Sequence, residues 1–430
     1  MCALLQISPA QHAASLQLAN LPLRLGGLGL RSAVRVRWAA YFASWADSLE
    51  LIDARFPQLS QRIHAALNAE DPNAILHLGC LRELRWCGTV LDAAGFTRPS
   101  WDALRQGVRP EVFFDRLPGA DPGDWSHGFQ YFASQALEDQ ASLAFGEQLS
   151  AADAALLRSQ SGPGAGDWLL AIPTGLDLSL DSPLFALALR RRLLLPLPCS
   201  STSCPGCGGV MDERGHHAVA CARSGWLRRR ATGTELAWVQ VLREAGARVR
   251  HQPLLRSFVP GISPQDSRQL DLVAGGLPLF GGRTLVGDVT LRSPLSGNGS
   301  AHRGAAHIDG STFAGARRDK AERYPELVRA SDRFAFIVLA AEVGGRFAPE
   351  AADLVRQLVT ATADRAPPPL KRTYRLIYHR RWWGILSMAV QRAISMNLLG
   401  EDGRMAPICG VPSLEVLLSM VEAPIVSRLG

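Results

Sequence analysis

Residues 204–221 read CPGCGGVMDERGHHAVAC, and no other stretch of the chain restricts its fold as tightly. Cys204 and Cys207 form a Cys-x2-Cys turn, the usual first half of a tetrahedral zinc site. For the second half, His217 and Cys221 are four residues apart, one helical turn, so both side chains point the same way. His216 lies five residues before Cys221 and suits a helix less well, which makes His217 the preferred ligand. Gly206, Gly208 and Gly209 allow the backbone to wrap closely around an ion. Four protein ligands leave no open coordination position, so a zinc ion here is structural rather than catalytic. Cys199 is read as a spectator. The eight cysteines do not form the dense framework of a small secreted domain, and a reducing compartment is expected.

The charge is unevenly distributed. Residues 1–190 carry 14 Arg and no Lys against 19 acidic residues, a net −5, whereas the remainder has 32 basic and 20 acidic residues, a net +12. A basic excess confined to one half points to a polyanion partner for that half. Lys320 and Lys371 are the only lysines in the chain. With 430 residues and 47% hydrophobic content the chain can form two or three domains with real cores. No apolar run is long enough to span a bilayer, so no membrane partner is expected. The N-terminus has no basic region followed by an apolar core and a cleavage site, and no secretory leader is expected.

The pattern along residues 1–195 is helical, broken by Pro/Gly loops. RSAVRVRWAAYFASWADSLELI (31–52) and the Ala/Leu-rich 129–160 carry helical spacing, SGPGAGD (161–167) interrupts it, and 183–198 reads as one more helix ended by prolines. LRLGGLGL (23–30) has glycines but no strand–helix context for a nucleotide loop. The C-terminal half changes character. A basic amphipathic helix over 225–247, stopped by Gly246, precedes three strand-like runs at 248–255, 268–274 and 284–291. A polar loop (297–311), a helix over 312–331 bent or ended at Pro325, a buried strand (333–343) and a helix (348–365) follow, and 380–399 reads as a last helix within a helical tail, 366–430. The predicted class is α+β, with a mixed α/β layer after the cysteine cluster.

Within that layer Asp271 and Asp288 each interrupt an apolar strand, QLDLVA and LVGDVTL. Burying a carboxylate among Val and Leu costs several kcal/mol unless it is paired. Two such positions on consecutive strands converge naturally at one sheet edge and suit Mg²⁺, which favours carboxylate oxygens. Lys320 on the following helix is placed to neutralise charge on a phosphate or to orient an attacking water. Glu235, on the helix before the strands, is a further candidate acid. Arg228, Arg229, Arg230, Arg250 and His251 are candidate nucleic-acid contacts, although a core role for His251 weighs equally. Glu342, at the end of a strand, is read as structural.

These features together resemble the C-terminal part of non-long-terminal-repeat retrotransposon proteins that carry a restriction-enzyme-like endonuclease. The carriers are the Cys204, Cys207, His217, Cys221 knuckle, Arg250–His251, RQLD ending at Asp271, GDVT with Asp288, and RRDKAERYPEL with Lys320 and Tyr324. They cover residues 200–365, and LPLRLGGLGLRSA (21–33) is similar to the region that follows the polymerase palm in such proteins. The resemblance implies a helical thumb or linker (1–195), a CCHC zinc knuckle (199–224), a PD-(D/E)XK-like endonuclease (225–365) and the helical tail. It also implies DNA nicking with Mg²⁺ held by Asp271 and Asp288, a nuclear location, contact with element RNA, and a reverse transcriptase supplied in trans, since no Tyr-x-Asp-Asp occurs. Two departures stand out. Thr290 occupies the position where a lysine usually follows the second carboxylate, a gap that Lys320 fills from the helix, and Leu270 replaces a common Pro. The alternative expectation is a catalytically dead nucleic-acid-binding remnant.

Overall fold

The computed structural model describes residues 9–69, 79–108, 128–197, 203–204, 206–221 and 226–399. The chain divides into two compact units, one made of residues 20–22 and 29–148, the other of 1–19, 23–28 and 149–430. Residues 1–195 contribute to both units.

The first unit is helical. α2 (Ala33–Arg55), after α1 (Pro9–Ala19) of the other unit, turns Ala39, Phe42, Ala46 and Leu49 inward at helical spacing. They meet Leu84 and Leu91 of α4 (Gly79–Ala93) and Phe129, Ala133 and Leu137 of α6 (Phe129–Gly146), while α3 (Pro57–Asn68) adds Ile63 and Leu67. Phe42 sits at the centre, edge-on to Phe96 at 5.8 Å and Phe129 at 6.1 Å. Ser100 caps α5 (Trp101–Arg105) by accepting from Ala103 N at 3.1 Å.

In the second unit, α7 (Ala151–Ser159) begins where Ser150 accepts from Asp153 N, so the Ala/Leu-rich run over 129–160 is two helices rather than one. α8 (Ser182–Arg192) ends before Leu194, whose φ is 54°. The LRLGGLGL run is a structural turn. Gly26, at φ 87°, lies so near Leu157 that a Cβ would come within 2.6 Å of its side chain. Buried Arg192 holds this turn, donating to Leu23 O and Gly27 O at 2.9 Å, Gln160 O at 3.3 Å and Ala165 O at 3.0 Å.

α10 (Trp226–Glu244) gives way at Gly246, whose φ of 94° only glycine adopts readily. The sheet follows: β1 (Arg248–His251), β2 (Leu272–Gly275), β3 (Thr284–Arg292) and, after a helical crossover, β4 (Phe334–Glu342). Its order is β1-β2-β3-β4, antiparallel through β3 and parallel between β3 and β4. β1 and β2 are shorter than the expected runs because Gln252 takes φ 51° and Pro253 has no N–H. Pairing nevertheless resumes beyond them, with Gln252 N donating to Asp271 O at 3.0 Å and Leu270 N to Pro253 O at 2.9 Å. In the crossover, α11 (Phe313–Arg323) stops at Tyr324 and Pro325 opens α12 (Pro325–Arg329), as the proline required.

Alternation along β3 separates two cores. Leu285, Val289 and Leu291 face α10, α13 (Pro349–Ala363) and α14 (Lys371–Leu399); Val286 and Asp288 face α11 and α12, where Tyr324 and Leu327 are buried. α14 begins nine residues before the expected 380, and it packs on the α/β layer: Trp382, Trp383, Ile385 and Leu386 lie in the same core as the sheet. The fold is α+β with a small mixed sheet.

Candidate metal centre and acidic site

The cysteine cluster is built on a short helix, α9 (His216–Ala220), preceded by Gly215 at φ 70°. Asp212 primes it: Oδ1 accepts from His216 N at 2.9 Å and Oδ2 from His217 N at 2.7 Å. Although burial pushes the Asp212 carboxyl up, these N–H donors hold it below its usual range. On the other side of the loop, Cys204 N donates to Gly209 O at 2.8 Å and Gly208 N to Cys204 O at 2.8 Å, which folds the Cys-x2-Cys turn. One donor atom each from Cys204, Cys207, His217 and Cys221 then lies within 4.8 Å of the others, a set that can hold a metal such as zinc.

His217, not His216, belongs to the set. Its Nε2 is 3.1 Å from Cys207 Sγ, while its Nδ1 lies 2.7 Å from Gly297 O. The carbonyl fixes the Nδ1-protonated tautomer and so presents Nε2 as the ligand atom. His216 is buried, and burial together with the Arg191 guanidinium lowers its pKa to about 4. The Cys204 thiol is pulled down to about 7: burial raises it, but the N–H groups of Gly206 and Cys207 and the His217 ring outweigh that effect. A thiolate is the species a metal requires. The knuckle is tied to its surroundings through Gly297, through Asn397 Nδ2 donating to Ala218 O at 3.1 Å, through Leu197 N donating to Glu213 O at 2.6 Å, and through Arg214, whose carbonyl accepts from Arg191 Nη1 at 3.2 Å and whose guanidinium pairs with Asp153. Cys199 lies outside the described residues.

The acidic site forms where β2 and β3 run antiparallel. Leu272 pairs with Gly287, and the same register one step on sets Asp271 opposite Asp288. Asp271 Oδ2 accepts from Val289 N at 2.7 Å. Asp288 is 1% exposed and neither carboxylate oxygen accepts a well-formed hydrogen bond; the Lys320 ammonium, delivered from α11, forms an ion pair with it. Burial pushes the Asp288 carboxyl up against the pull of Lys320. Burial, then the charges of Asp288 and Glu235, push Asp271 up to about 7 against the Val289 N–H and Lys320. Tyr324, below the pair, rises to about 12 through burial and the Asp288 charge, and its hydroxyl donates to Gln269 O at 2.8 Å.

Glu235 is 5% exposed on α10, with His251 Nε2 at 2.9 Å and Gln252 Nε2 at 3.1 Å from its Oε2. Its charge acts on Asp271, yet Glu235, Asp271 and Asp288 do not form a group closed to 4.8 Å; among the described residues the cysteine–histidine set is the only such group. His251 is thus the partner of a buried carboxylate. Arg250 is exposed, its guanidinium 5.4 Å from the Phe258 ring centroid. The side chains of Arg228, Arg229 and Arg230 lie outside the described residues. Glu342, buried at 2%, accepts from Thr312 Oγ1 at 2.8 Å and joins β4 to the start of α11. Glu235 and His251 are both singled out by the sequence, but their pairing and the part taken by Gln252 are not; the positive φ of Gln252, a non-glycine residue beside the site, marks a locally constrained backbone.

Among the described residues no helix is long and apolar enough to cross a membrane. No protein-family profile matches the chain, and no curated protein matches it.

Proposed function

We propose that this chain is a metal-dependent DNA endonuclease whose reacting centre is Asp271, Asp288 and Lys320, of the kind carried by non-long-terminal-repeat retrotransposon proteins. The observation that carries the reading is the meeting of Asp271 and Asp288 across β2 and β3 with Lys320 on the crossover helix. A helix, three antiparallel strands, a crossover helix and a fourth strand parallel to the third are also the order expected of a PD-(D/E)XK core. The Asp288 carboxylate, buried and balanced by the Lys320 ammonium, is of the type that suits a hard divalent ion such as Mg²⁺, and Asp271 and Asp288 are the residues to hold it. When bound, such an ion supplies an activated water and stabilises the leaving oxygen of a phosphodiester.

The protein groups have distinct tasks in this reading. Lys320, seated on Asp288, meets the negative charge that grows on the phosphate, replacing the lysine absent at Thr290. Val289 N–H fixes the Asp271 carboxylate in place. Glu235 holds His251 and Gln252 at the strand end next to Asp271. The zinc knuckle stabilises the fold around the loop after β3 through Gly297. DNA is the partner, in a nuclear setting, with element RNA and a separately supplied polymerase belonging to the same proposal.

A second reading, a binding remnant without cleavage, is favoured by one observation: Glu235 does not close with the aspartates into a three-carboxylate cage. A labelled duplex separates the two. The nuclease reading predicts cutting with Mg²⁺ that EDTA abolishes, with salt-sensitive binding kept in EDTA; binding without cutting in either condition supports the remnant.

A further inference from the structure

A cleft of about 1220 Å³ lies within the second unit, and none of the acidic-site or cysteine-cluster residues lines it. Its floor is apolar: Phe313 of α11, Phe347 and Trp383 of α14 are each 5% exposed or less. Its lips carry the exposed side chains of Leu170 and Ile308, 65% and 60% accessible. Around them stand arginines from five separate segments: Arg24, Arg303, Arg317, Arg346 and Arg356. The acids lining the cleft are Asp167, Asp309 and Asp353, so arginine is in excess.

Several of these acids are engaged as structure. Asp309 takes the guanidinium groups of Arg158 at 2.8 Å and Arg346 at 3.1 Å, and Asp353 takes Arg356 at 2.7 Å. Asp167 is half-buried, and the loss of solvent around it raises its pKa. Arg317 is paired with Glu350 outside the lining yet 45% exposed, Arg356 is 68% exposed despite its pair, and exposed Arg303 makes no hydrogen bond or ion pair among the described residues. A solvated basic face would not place Leu170 and Ile308 in water between its cations. A core would not place five guanidinium groups around an apolar floor. An extended polyanion with apolar rings satisfies both features, and a guanidinium is the side chain best shaped to grip a phosphate through two parallel N–H bonds.

The cleft also adjoins the acidic pair. Arg317 lies on its wall and Lys320, three residues later on α11, holds Asp288; residues three apart on a helix are neighbours. We infer that this cleft receives a nucleic-acid strand, with phosphates against Arg303, Arg356 and Arg317 and bases against Leu170 and Ile308, on a path that leads along α11 to Asp288. The inference rests on the proposed nuclease reading for its direction of travel, but the binding itself does not require cleavage.

The test is fluorescence anisotropy of a labelled single-stranded oligonucleotide and its duplex with the full chain in EDTA, where nothing is cut. Arg303→Glu with Arg356→Glu is compared with Arg243→Glu plus Arg248→Glu, which changes net charge equally at exposed positions not lining the cleft. The cleft pair is expected to weaken binding at least tenfold, and to lower the slope of log affinity against log salt by roughly 1.4 to 1.8, as two lost phosphate contacts require. The control pair is expected to change the affinity less than threefold. Arg303→Gln, a mild change in an exposed loop, is expected to weaken binding in the same direction with an unchanged thermal melt. Equal losses in the two pairs, or no loss in the cleft pair, would overturn the inference, as would an acidic peptide displacing the oligonucleotide at equal charge concentration. Loss of cleavage with retained cleft binding would instead count against the nuclease reading alone.

Discussion

Replacing Asp271 by Asn should make the metal-free protein more stable at neutral pH. The Asp271 carboxyl is pushed from 3.8 up to about 7 by burial and by the charges of Asp288 and Glu235. Three pKa units at about 1.36 kcal/mol each mean that ionised Asp271 opposes folding by roughly 4 kcal/mol. The sign follows from proton binding. Between pH 4 and 7 the folded protein keeps a proton that the unfolded chain releases, so stability is intact below the unfolded pKa and falls as pH rises through the folded one. Asn has the same shape, and its side-chain oxygen can still accept from Val289 N, so the substitution removes the charge and leaves the hydrogen bond. At roughly 2–4 °C per kcal/mol for a unit of this size, the midpoint of thermal unfolding should rise by about 8–16 °C at pH 8. The gap between variant and wild type should shrink to about half at pH 5.5 and close near pH 4. Circular dichroism melts in magnesium-free buffer at the three pH values make the measurement. A variant less stable than wild type at pH 8, or a gap independent of pH, would refute the electrostatic account of the pair.

Other substitutions test the scaffold around the site. Arg192→Met strips the donors from the Leu23, Gly27 and Ala165 carbonyls and should cost at least 3 kcal/mol, read as a lower urea midpoint or loss of soluble protein. Trp382→Ala removes a ring that is 0% exposed, together with its Nε1–H bond to Glu244 at 2.9 Å, and should cost about 3–5 kcal/mol in the same assay. Cys207→Ser should abolish the bound zinc measured by atomic absorption. It should also speed amide exchange around Gly297, since His217 is then no longer held on both sides.

The parts of the site that are legible in the sequence are those written in short-range pattern. Asp271 and Asp288 are readable because each breaks an apolar strand, and such a break needs a partner. The cysteine–histidine set is readable because its spacing encodes a turn and a helical turn, and Pro325 announces the break between α11 and α12. What pattern hides is contact between distant residues. Arg192 is one of three consecutive arginines in a helix, yet it is buried because carbonyls from residues 23, 27, 160 and 165 converge on it. α14 reads as a packed tail, but that its aromatic residues fill the core beneath the sheet is a long-range contact the pattern does not carry. The region up to residue 195 reads as one helical block because amphipathic helices carry no mark of which neighbour they will pack against. His251 looks equally like a ligand contact or a core filler until its partner, Glu235, sixteen residues earlier, is seen beside it.

The most direct measurement is relaxation of supercoiled plasmid by the purified, zinc-loaded chain with Mg²⁺, beside Asp288→Asn and an EDTA control. The account predicts open-circular product from the wild type and none above background from the variant or in EDTA, with the Asp288→Asn protein retaining the wild-type circular dichroism spectrum. Nicking by folded Asp288→Asn at the wild-type rate would contradict it, because the buried carboxylate paired to Lys320 would then play no part in the chemistry.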